Sequence, residues 1–300
     1  MAYADFVTFR RSLPRTPRLE RQTVHARGID FAVFTSPPVG DAPPLVCING
    51  GMLYDHSMLW PALSPLAIRR QLVLYDQRGR GESAEPPNPA DTTIDDDAAD
   101  VGALRRALGI RRWDVLGHSW GGGIAMLAAS LDTAAVRRMV LVDPVGATSD
   151  WMAPLRRAVL DRLSGDERDA VARISEESLG NPDAALHSAY SRAVYPAWFG
   201  DSDLARHFTP PNALSRTGAA VLARLRGEGY DWRNRLGAVS APTLILHGAL
   251  DPLPPFVPLA VSGTDSYILK NARQIVVPSS GHMPFWEAPE RFFSLIESFL

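Results

Sequence analysis

Short apolar runs recur along the chain, and each ends in a small or polar residue. Strands that are buried on both faces have this continuous pattern, whereas strands with one face in water alternate apolar and polar residues. The pattern therefore predicts a set of buried strands. They are expected at residues 45–48, 72–75, 113–116, 139–142, 243–246 and 274–277.

Helical patterns lie between these runs. Residues 93–108 predict an amphipathic helix, because apolar residues recur on one face and aspartates fill the first turn. Residues 289–300 predict a second amphipathic helix, and the alternation at 23–26 and 31–34 predicts a β-hairpin. Strands that alternate with helices indicate the α/β class, with a mostly parallel central sheet and helices on both of its faces.

The pattern changes after the fourth predicted strand. Strand-like runs disappear until the fifth, and helical patches separated by glycine and proline take their place. The patches cover residues 155–163, 168–179, 184–194 and 215–226. We therefore expect an α/β core formed by residues 1–144 and 237–300. A helical cap, residues 145–236, is expected to be inserted after the strand that ends near Val142.

A serine follows the 113–116 run, within the sequence Gly-His-Ser-Trp-Gly at residues 117–121. A stretch of small residues comes next, so the segment predicts a strand, a sharp turn and a helix. Gly117 and Gly121 remove the Cβ atoms that would collide in such a turn. Ser119 is then expected at the apex, with its hydroxyl exposed and the first N–H groups of the helix pointing toward the same space.

Two further polar residues follow predicted strands, Asp251 after 243–246 and His282 after 274–277. Because the carboxyl ends of parallel strands lie along one edge of a sheet, both side chains are expected near Ser119. A serine hydroxyl becomes an effective nucleophile when an imidazole accepts its proton, and the imidazole needs a carboxylate partner. We therefore predict Ser119, His282 and Asp251 as the catalytic residues.

A second aspartate, Asp143, also ends a predicted strand and is the alternative acid. Asp251 is preferred because of its position in the loop between the last two predicted strands. Asp143 precedes Pro144 and is expected to organise the exit from the core into the cap.

An oxyanion that forms on a substrate carbonyl needs two N–H donors held in place. The backbone N–H of Trp120, directly after the serine, is the first candidate. Gly51, in the loop after the first predicted strand, is the second, with Met52 as the alternative. Met52 and two cap aromatics, Trp198 and Phe199, are expected to bind the substrate in a mostly apolar cavity.

Composition narrows the range of functions. A net charge of −2, with 46% hydrophobic and 21% charged residues, gives no electrostatic attraction to nucleic acid or to an anionic membrane. The only cysteine is Cys47, and the seven histidines lack metal-site spacing, so no disulfide or metal is expected. The glycines within residues 79–81 are not followed by Gly-Lys-Ser/Thr, so no nucleotide or other cofactor is expected.

The expected partner is therefore a small-molecule substrate. The chain has no apolar run long enough to span a membrane. The N-terminal residues also lack the apolar segment of a signal peptide. A cytoplasmic location is expected.

Two motifs give the chain a family resemblance. Residues 76–83, Asp-Gln-Arg-Gly-Arg-Gly-Glu-Ser, and residues 117–122, Gly-His-Ser-Trp-Gly-Gly, resemble those of α/β-hydrolases with a helical cap, in the proline iminopeptidase-like branch. The resemblance covers nearly the whole chain. It implies Ser119 as nucleophile, Asp251 as acid and His282 as base, with cleavage of an ester or amide through an acyl-enzyme.

The chain departs from that branch in the oxyanion loop. The branch usually has His-Gly-Gly-Pro-Gly there, whereas residues 49–53 of this chain are Asn-Gly-Gly-Met-Leu. Cap carboxylates bind the substrate α-amine in iminopeptidases, and Glu176 and Glu177 are available for that role.

The predicted function is thus a serine hydrolase of a small or medium ester, lactone or amide. A proline iminopeptidase-type aminopeptidase is one alternative. A low-turnover ligand-binding protein of the same fold, or a hydrolase or lyase of carbon–carbon bonds, is another.

Overall fold

The computed structural model describes residues 3–174, 184–209, 215–256 and 269–300. Within them, eight strands form one sheet in the order β1-β2-β4-β3-β5-β6-β7-β8. The strands are β1 (Glu20–Ala26), β2 (Ile29–Thr35), β3 (Leu45–Ile48), β4 (Leu72–Tyr75), β5 (Trp113–His118), β6 (Val136–Val142), β7 (Thr243–Gly248) and β8 (Ala272–Val277). The pairs β1–β2 and β2–β4 are antiparallel and the other pairs are parallel, which confirms the predicted mostly parallel sheet.

Neighbouring residues of one strand pack on opposite faces of the sheet. In β3, Val46 and Ile48 join one apolar cluster, whereas Leu45 and Cys47 join the other. The same alternation runs through β4, β5 and residues 139–142 of β6, where odd-numbered and even-numbered residues belong to different clusters. Because both faces are covered, polar residues are excluded from both. This explains the continuous apolar runs in the sequence.

The helices described are α1 (Tyr3–Ser12), α2 (Ile94–Ala107), α3 (Trp120–Leu131), α4 (Met152–Arg162), α5 (Gly165–Arg173), α6 (Ala184–Val194), α7 (Ser202–Ala205), α8 (Arg216–Glu228), α9 (Arg233–Leu236), α10 (Pro284–Glu287) and α11 (Pro289–Phe299). Helices α2 and α3 cover one face of the sheet, and α11 covers the other. Thr93 caps α2 through a reciprocal pair of hydrogen bonds with Asp96, which confirms the predicted start of this helix. None of the described helices is both long and apolar enough to cross a membrane.

Helices α4 to α9 lie between β6 and β7 in the chain, and we call them the cap helices. Part of their packing is a small apolar cluster of their own, formed by Val159, Leu163, Val194 and Ala197. The predicted patch 168–179 is described as far as residue 174, and the rest of it lies outside the described residues.

Two buried ion pairs hold the loop after β4 against α2. The Arg78 guanidinium donates two hydrogen bonds of 2.6 Å to Asp100, and Arg80 donates two of 2.9 and 3.0 Å to Asp97. Arg80 also donates to the Met52 carbonyl at 2.9 Å. Arg80 of the Asp-Gln-Arg-Gly-Arg-Gly-Glu-Ser motif therefore supports the loop after β3, which borders the site described next.

Candidate active site

Ser119 lies at the turn between β5 and α3, with φ of 54° and ψ of −120°. A positive φ is strained for a residue that carries a Cβ atom. The turn is held by a hydrogen bond of 2.8 Å from the Ser119 N–H to the Val142 carbonyl. The side chain is therefore fixed above the carboxyl end of the sheet, as the sequence predicts.

The glycines around the serine are required by close backbone contacts. A Cβ atom on Gly121 would collide with the carbonyl oxygens of Ile48 and Asn49, and one on Gly117 would collide with the Gly121 carbonyl. A Cβ atom on Gly50 would lie 2.7 Å from that of Ser119. The serine turn and the loop after β3 can approach each other only because these positions are glycine.

His282 and Asp251 meet as predicted. The Nδ1 atom of His282 lies 2.7 Å from Asp251 Oδ2, and Asp251 Oδ1 accepts a hydrogen bond of 2.8 Å from the Leu253 N–H. Burial lowers the pKa of His282 to about 3, so the imidazole is neutral near pH 7. With its Nδ1 hydrogen directed at the carboxylate, Nε2 is left as a proton acceptor.

The serine turn and the histidine loop are also in contact. His118 Nε2 lies 2.9 Å from the His282 carbonyl oxygen, and the two imidazole rings are 4.7 Å apart between centroids. In the described part of the chain, no hydrogen bond joins the Ser119 hydroxyl to His282. Such catalytic hydrogen bonds are often long in the absence of substrate and shorten when it binds.

Asp143 lies beside Asp251, a contact that the sequence does not predict. Its Oδ1 accepts a hydrogen bond of 2.7 Å from the Gly248 N–H. Its Oδ2 is buried and receives no N–H or hydroxyl hydrogen bond from the described residues. Burial, then the charge of Asp251 and a hydrogen bond with it, raise the pKa of Asp143 well above its ordinary value. The two carboxyls are best described as sharing one proton, carried by Asp143.

Among the residues that the structure describes, two groups of side chains each bring three possible metal-ligand atoms within 4.8 Å of one another. One group is Asp143, His247 and Asp251, and the other is Asp55, His56 and Asp76. In the first, Asp251 already bonds His282 and a backbone N–H. In the second, both Asp76 oxygens accept backbone N–H bonds, from His56 and Glu82. Since these oxygens are already hydrogen-bonded, we assign a metal to neither group.

A cavity of about 580 Å³ opens above Ser119. Gly51, Met52 and Trp120, the residues predicted to bind the oxyanion, line it together with the serine. Most of the remaining wall comes from apolar side chains of the core loops and the cap helices. These are Leu53, Val145, Met152, Leu155, Val159, Val194, Leu222 and Leu253.

The two cap aromatics predicted to bind the substrate, Trp198 and Phe199, differ in whether they line the cavity. Trp198 lines the cavity, and its ring lies 4.6 Å from the His282 ring between centroids. Phe199 does not line it. Its ring is buried and packs against Tyr195 and Phe208 instead. The chain passes from a 3₁₀ turn to extended backbone at Phe199, so adjacent side chains point in different directions.

Glu287 in α10 also contacts the candidate site, although the sequence did not predict it. This buried carboxylate accepts backbone hydrogen bonds from Gly281 at 2.9 Å, Met283 at 3.2 Å and Gly200 at 2.7 Å. The first two flank His282, and Gly200 lies two residues after Trp198. A glutamate within the apolar sequence Pro-Phe-Trp-Glu was the available signal, since a charged residue is seldom buried without a partner. Glu176 and Glu177, the predicted amine-binding carboxylates, lie outside the described residues.

Comparison with known proteins adds family information. The model of the alpha/beta hydrolase fold family matches residues 43–289. A proline iminopeptidase of Lactobacillus delbrueckii subsp. bulgaricus is 28% identical over 280 residues, covering 87% of this chain and 90% of the relative. These matches confirm the resemblance that the motifs indicate.

Solved structures support the same fold. The crystal structure of a proline iminopeptidase from Mycobacterium smegmatis has a TM-score of 0.64 at 22% identity, covering 93% of this chain and 97% of that one. An esterase from Exiguobacterium antarcticum has a TM-score of 0.66 at 20% identity, with coverage of 94% and 98%.

Proposed function

Because the chain belongs to the alpha/beta hydrolase fold family, we propose that this hydrolase of ester or amide bonds uses Ser119, His282 and Asp251 to cleave a small or medium, mostly apolar ester. A lactone or amide of similar size is open to the same chemistry. The observation that carries the proposal is the 2.7 Å His282–Asp251 hydrogen bond beside a strained serine turn that opens into an apolar cavity.

The proposed reaction has two steps, acylation of Ser119 and hydrolysis of the acyl-enzyme. Ser119 Oγ attacks the carbonyl carbon while its proton passes to His282 Nε2, and Asp251 stabilises the imidazolium that results. Nε2 then gives that proton to the leaving alcohol or amine, and the acyl group remains on Oγ. In the second step, water gives a proton to Nε2 and its oxygen attacks the acyl carbon. The proton returns to Oγ as the carboxylic acid leaves.

The backbone N–H groups of Trp120 and Gly51 are proposed to bind the oxyanion, with Met52 as the alternative to Gly51. Trp120 begins α3, so its N–H has no partner within the helix. Gly51 has φ of 68°, and the adjacent Gly50 allows its loop to approach the serine. Two such donors stabilise charge that develops only in the transition state.

Ser119→Ala tests the proposal. We expect wild type to hydrolyse p-nitrophenyl esters of short and medium acyl chains, and the variant to lose roughly 10⁴-fold or more in kcat. Ser130→Ala, which removes a partly exposed hydroxyl at the far end of α3, is the matched control and should retain full activity. Equal turnover by wild type and Ser119→Ala would remove the proposal.

Iminopeptidase activity is a second candidate, favoured by the proline iminopeptidases among the relatives. A prolyl anilide tests it on the same enzyme. Hydrolysis that exceeds ester turnover and is lost in the double variant Glu176→Gln, Glu177→Gln would support a cap carboxylate that binds the amine. Labelling of Ser119 by a fluorophosphonate, without turnover of any ester or anilide, would instead favour a ligand-binding role.

A further inference from the structure

Three arginines of α8 differ in their surroundings. Arg216 lies 3.6 Å from Glu85, and Arg224 lies 3.7 Å from Glu228 and donates a hydrogen bond of 2.8 Å to a core carbonyl. Arg226 lines the cavity above Ser119. Within the described residues, Arg226 has neither an ion-pair partner nor a hydrogen bond. It is thus the arginine of this helix that faces the substrate space.

The charge around the cavity is of one sign in the described part of the chain. Arg156 of α4 also lines the cavity and makes a further interaction within the protein. No aspartate or glutamate is among the described lining residues. A substrate that carries a carboxylate would meet a favourable potential here, whereas one that carries an ammonium group would not.

The position of Arg226 indicates which part of a substrate it would meet. It follows Leu222 by one helical turn, and both residues line the cavity. The Arg226 residue as a whole is exposed. Its stem can extend along the apolar wall while its guanidinium stays near the cavity mouth, away from the buried His282. A charge bound there would sit at the end of the substrate that is remote from the scissile carbonyl.

We propose that Arg226 forms a carboxylate-binding subsite, so that this hydrolase prefers esters whose acyl chain ends in a free carboxylate. The inference rests on the proposed function and names its substrate class. A guanidinium suits this role because it stays charged and matches both carboxylate oxygens with two parallel N–H donors. The preference is opposite to that of an enzyme that binds a substrate α-amine.

The experiment compares two p-nitrophenyl esters of equal chain length, one of glutaric acid with a free carboxylate and one of neutral valeric acid. The quantity measured is the ratio of their kcat/KM values. We expect wild type to favour the glutarate ester, and Arg226→Gln to lower the ratio by about tenfold, as expected for a lost hydrogen-bonded charge pair. Arg226→Lys should restore part of the ratio, and added salt should reduce it in wild type.

Arg224→Gln is the control, since this side chain lies on the same helix and pairs with Glu228; it should keep the wild-type ratio. An Arg226→Gln ratio equal to that of wild type, with the valerate ester still hydrolysed, would overturn this inference alone. Failure of wild type to hydrolyse either ester would overturn the proposed function and this subsite with it.

Discussion

At the scale of single residues, a pair of neighbouring aspartates lies beside His282, whereas the proposed mechanism uses only one carboxylate. Asp251 contacts the imidazole, and Asp143 sits behind it with one oxygen on the Gly248 N–H. The basic side chain beside Asp143 is His247, whose Nδ1 lies 3.4 Å from Asp143 Oδ1. Burial lowers the pKa of His247 to about 4, so the imidazole is neutral near pH 7 and a second buried negative charge here would be costly. The neutral, protonated form of Asp143 avoids that cost and can donate a hydrogen bond to Asp251.

Asp143→Asn tests this assignment through stability. Burial raises the pKa of Asp143 in the folded protein, whereas the unfolded chain releases the same proton near the ordinary value of about 4. Between about pH 4 and the pKa of the folded protein, the folded state therefore binds more protons than the unfolded chain. Wild type accordingly loses stability as the pH rises through this range. The loss is about 1.4 kcal/mol for each unit by which the pKa is raised. Asparagine does not titrate, so Tm measured at pH 5 and pH 8 should fall less in the variant.

The exposed Asp203, whose contact with Arg206 lies in solvent, gives the control, because Asp203→Asn should follow wild type at both pH values. The variant Asp143→Asn should also keep esterase activity, since its amide can donate to Asp251 and accept from Gly248. Parallel Tm changes in wild type and Asp143→Asn would show that Asp143 is ionised in the folded protein.

At the scale of elements, α10 joins the histidine loop to the cap. Glu287 binds N–H groups on both sides of His282 with one oxygen and the N–H of Gly200 with the other. The His282 N–H in turn donates to the Trp198 carbonyl at 2.7 Å. The loop that carries His282 is therefore held by backbone hydrogen bonds from both segments, and we infer that Glu287 positions the imidazole.

Glu287→Gln should weaken this arrangement. Its carbonyl oxygen can still accept from Gly281 and Met283, but its NH₂ group would face the N–H of Gly200. We expect the unfolding free energy to fall by about 1–3 kcal/mol, the cost of a buried unsatisfied donor. We also expect kcat for a neutral ester to fall more than KM changes. Urea unfolding and steady-state kinetics measure the two effects.

The exposed Glu290, three residues later, provides the comparison, and Glu290→Gln should change neither quantity. An unchanged kcat in Glu287→Gln, together with reduced stability, would limit Glu287 to a structural role.

The sequence predicted helices and strands best where burial imposes a regular pattern of apolar residues. The continuous apolar runs of β3 and β4 are typical of strands covered on both faces, and the Thr93 cap marked the start of α2. Helix α1 was missed because Phe6 is its only fully buried residue, so no apolar periodicity marks it. Strand order and chain order together brought Asp251 and His282 to one edge of the sheet.

The sequence alone did not predict which side chains contact each other in the site. From the sequence, Asp143 and Asp251 are alternative acids, and the contact between them depends on how β6 and β7 pair. Trp198 and Phe199 are adjacent aromatics with similar sequence signals, and the backbone turn between them decides which one faces the cavity. The role of Glu287 is hard to predict because the three groups that it binds are backbone N–H groups. Nearly every residue has such a group, so the sequence does not show which ones a side chain will bind.

At the scale of the whole molecule, the segment between β6 and β7 contacts both the loop after β3 and the loop that carries His282. Tyr54 donates a hydrogen bond of 2.9 Å to Ser191 of α6, and Gly218 of α8 packs against the Met52 backbone. Gly200 is bound by Glu287 on the histidine side. The cavity above Ser119 is thus enclosed both by core loops and by the segment between β6 and β7. In the proposed mechanism the core supplies the reacting groups, and the cap helices supply most of the apolar wall and the two arginines of the cavity.

The central claim is that Ser119 is a nucleophile activated by His282. The most direct measurement is the reaction of the intact protein with a fluorophosphonate, followed by mass analysis of the protein and its peptides. We predict one adduct per chain, located on Ser119, absent in Ser119→Ala and formed far more slowly in His282→Ala. No adduct, an adduct on another residue, or equal labelling rates in wild type and His282→Ala would contradict the account.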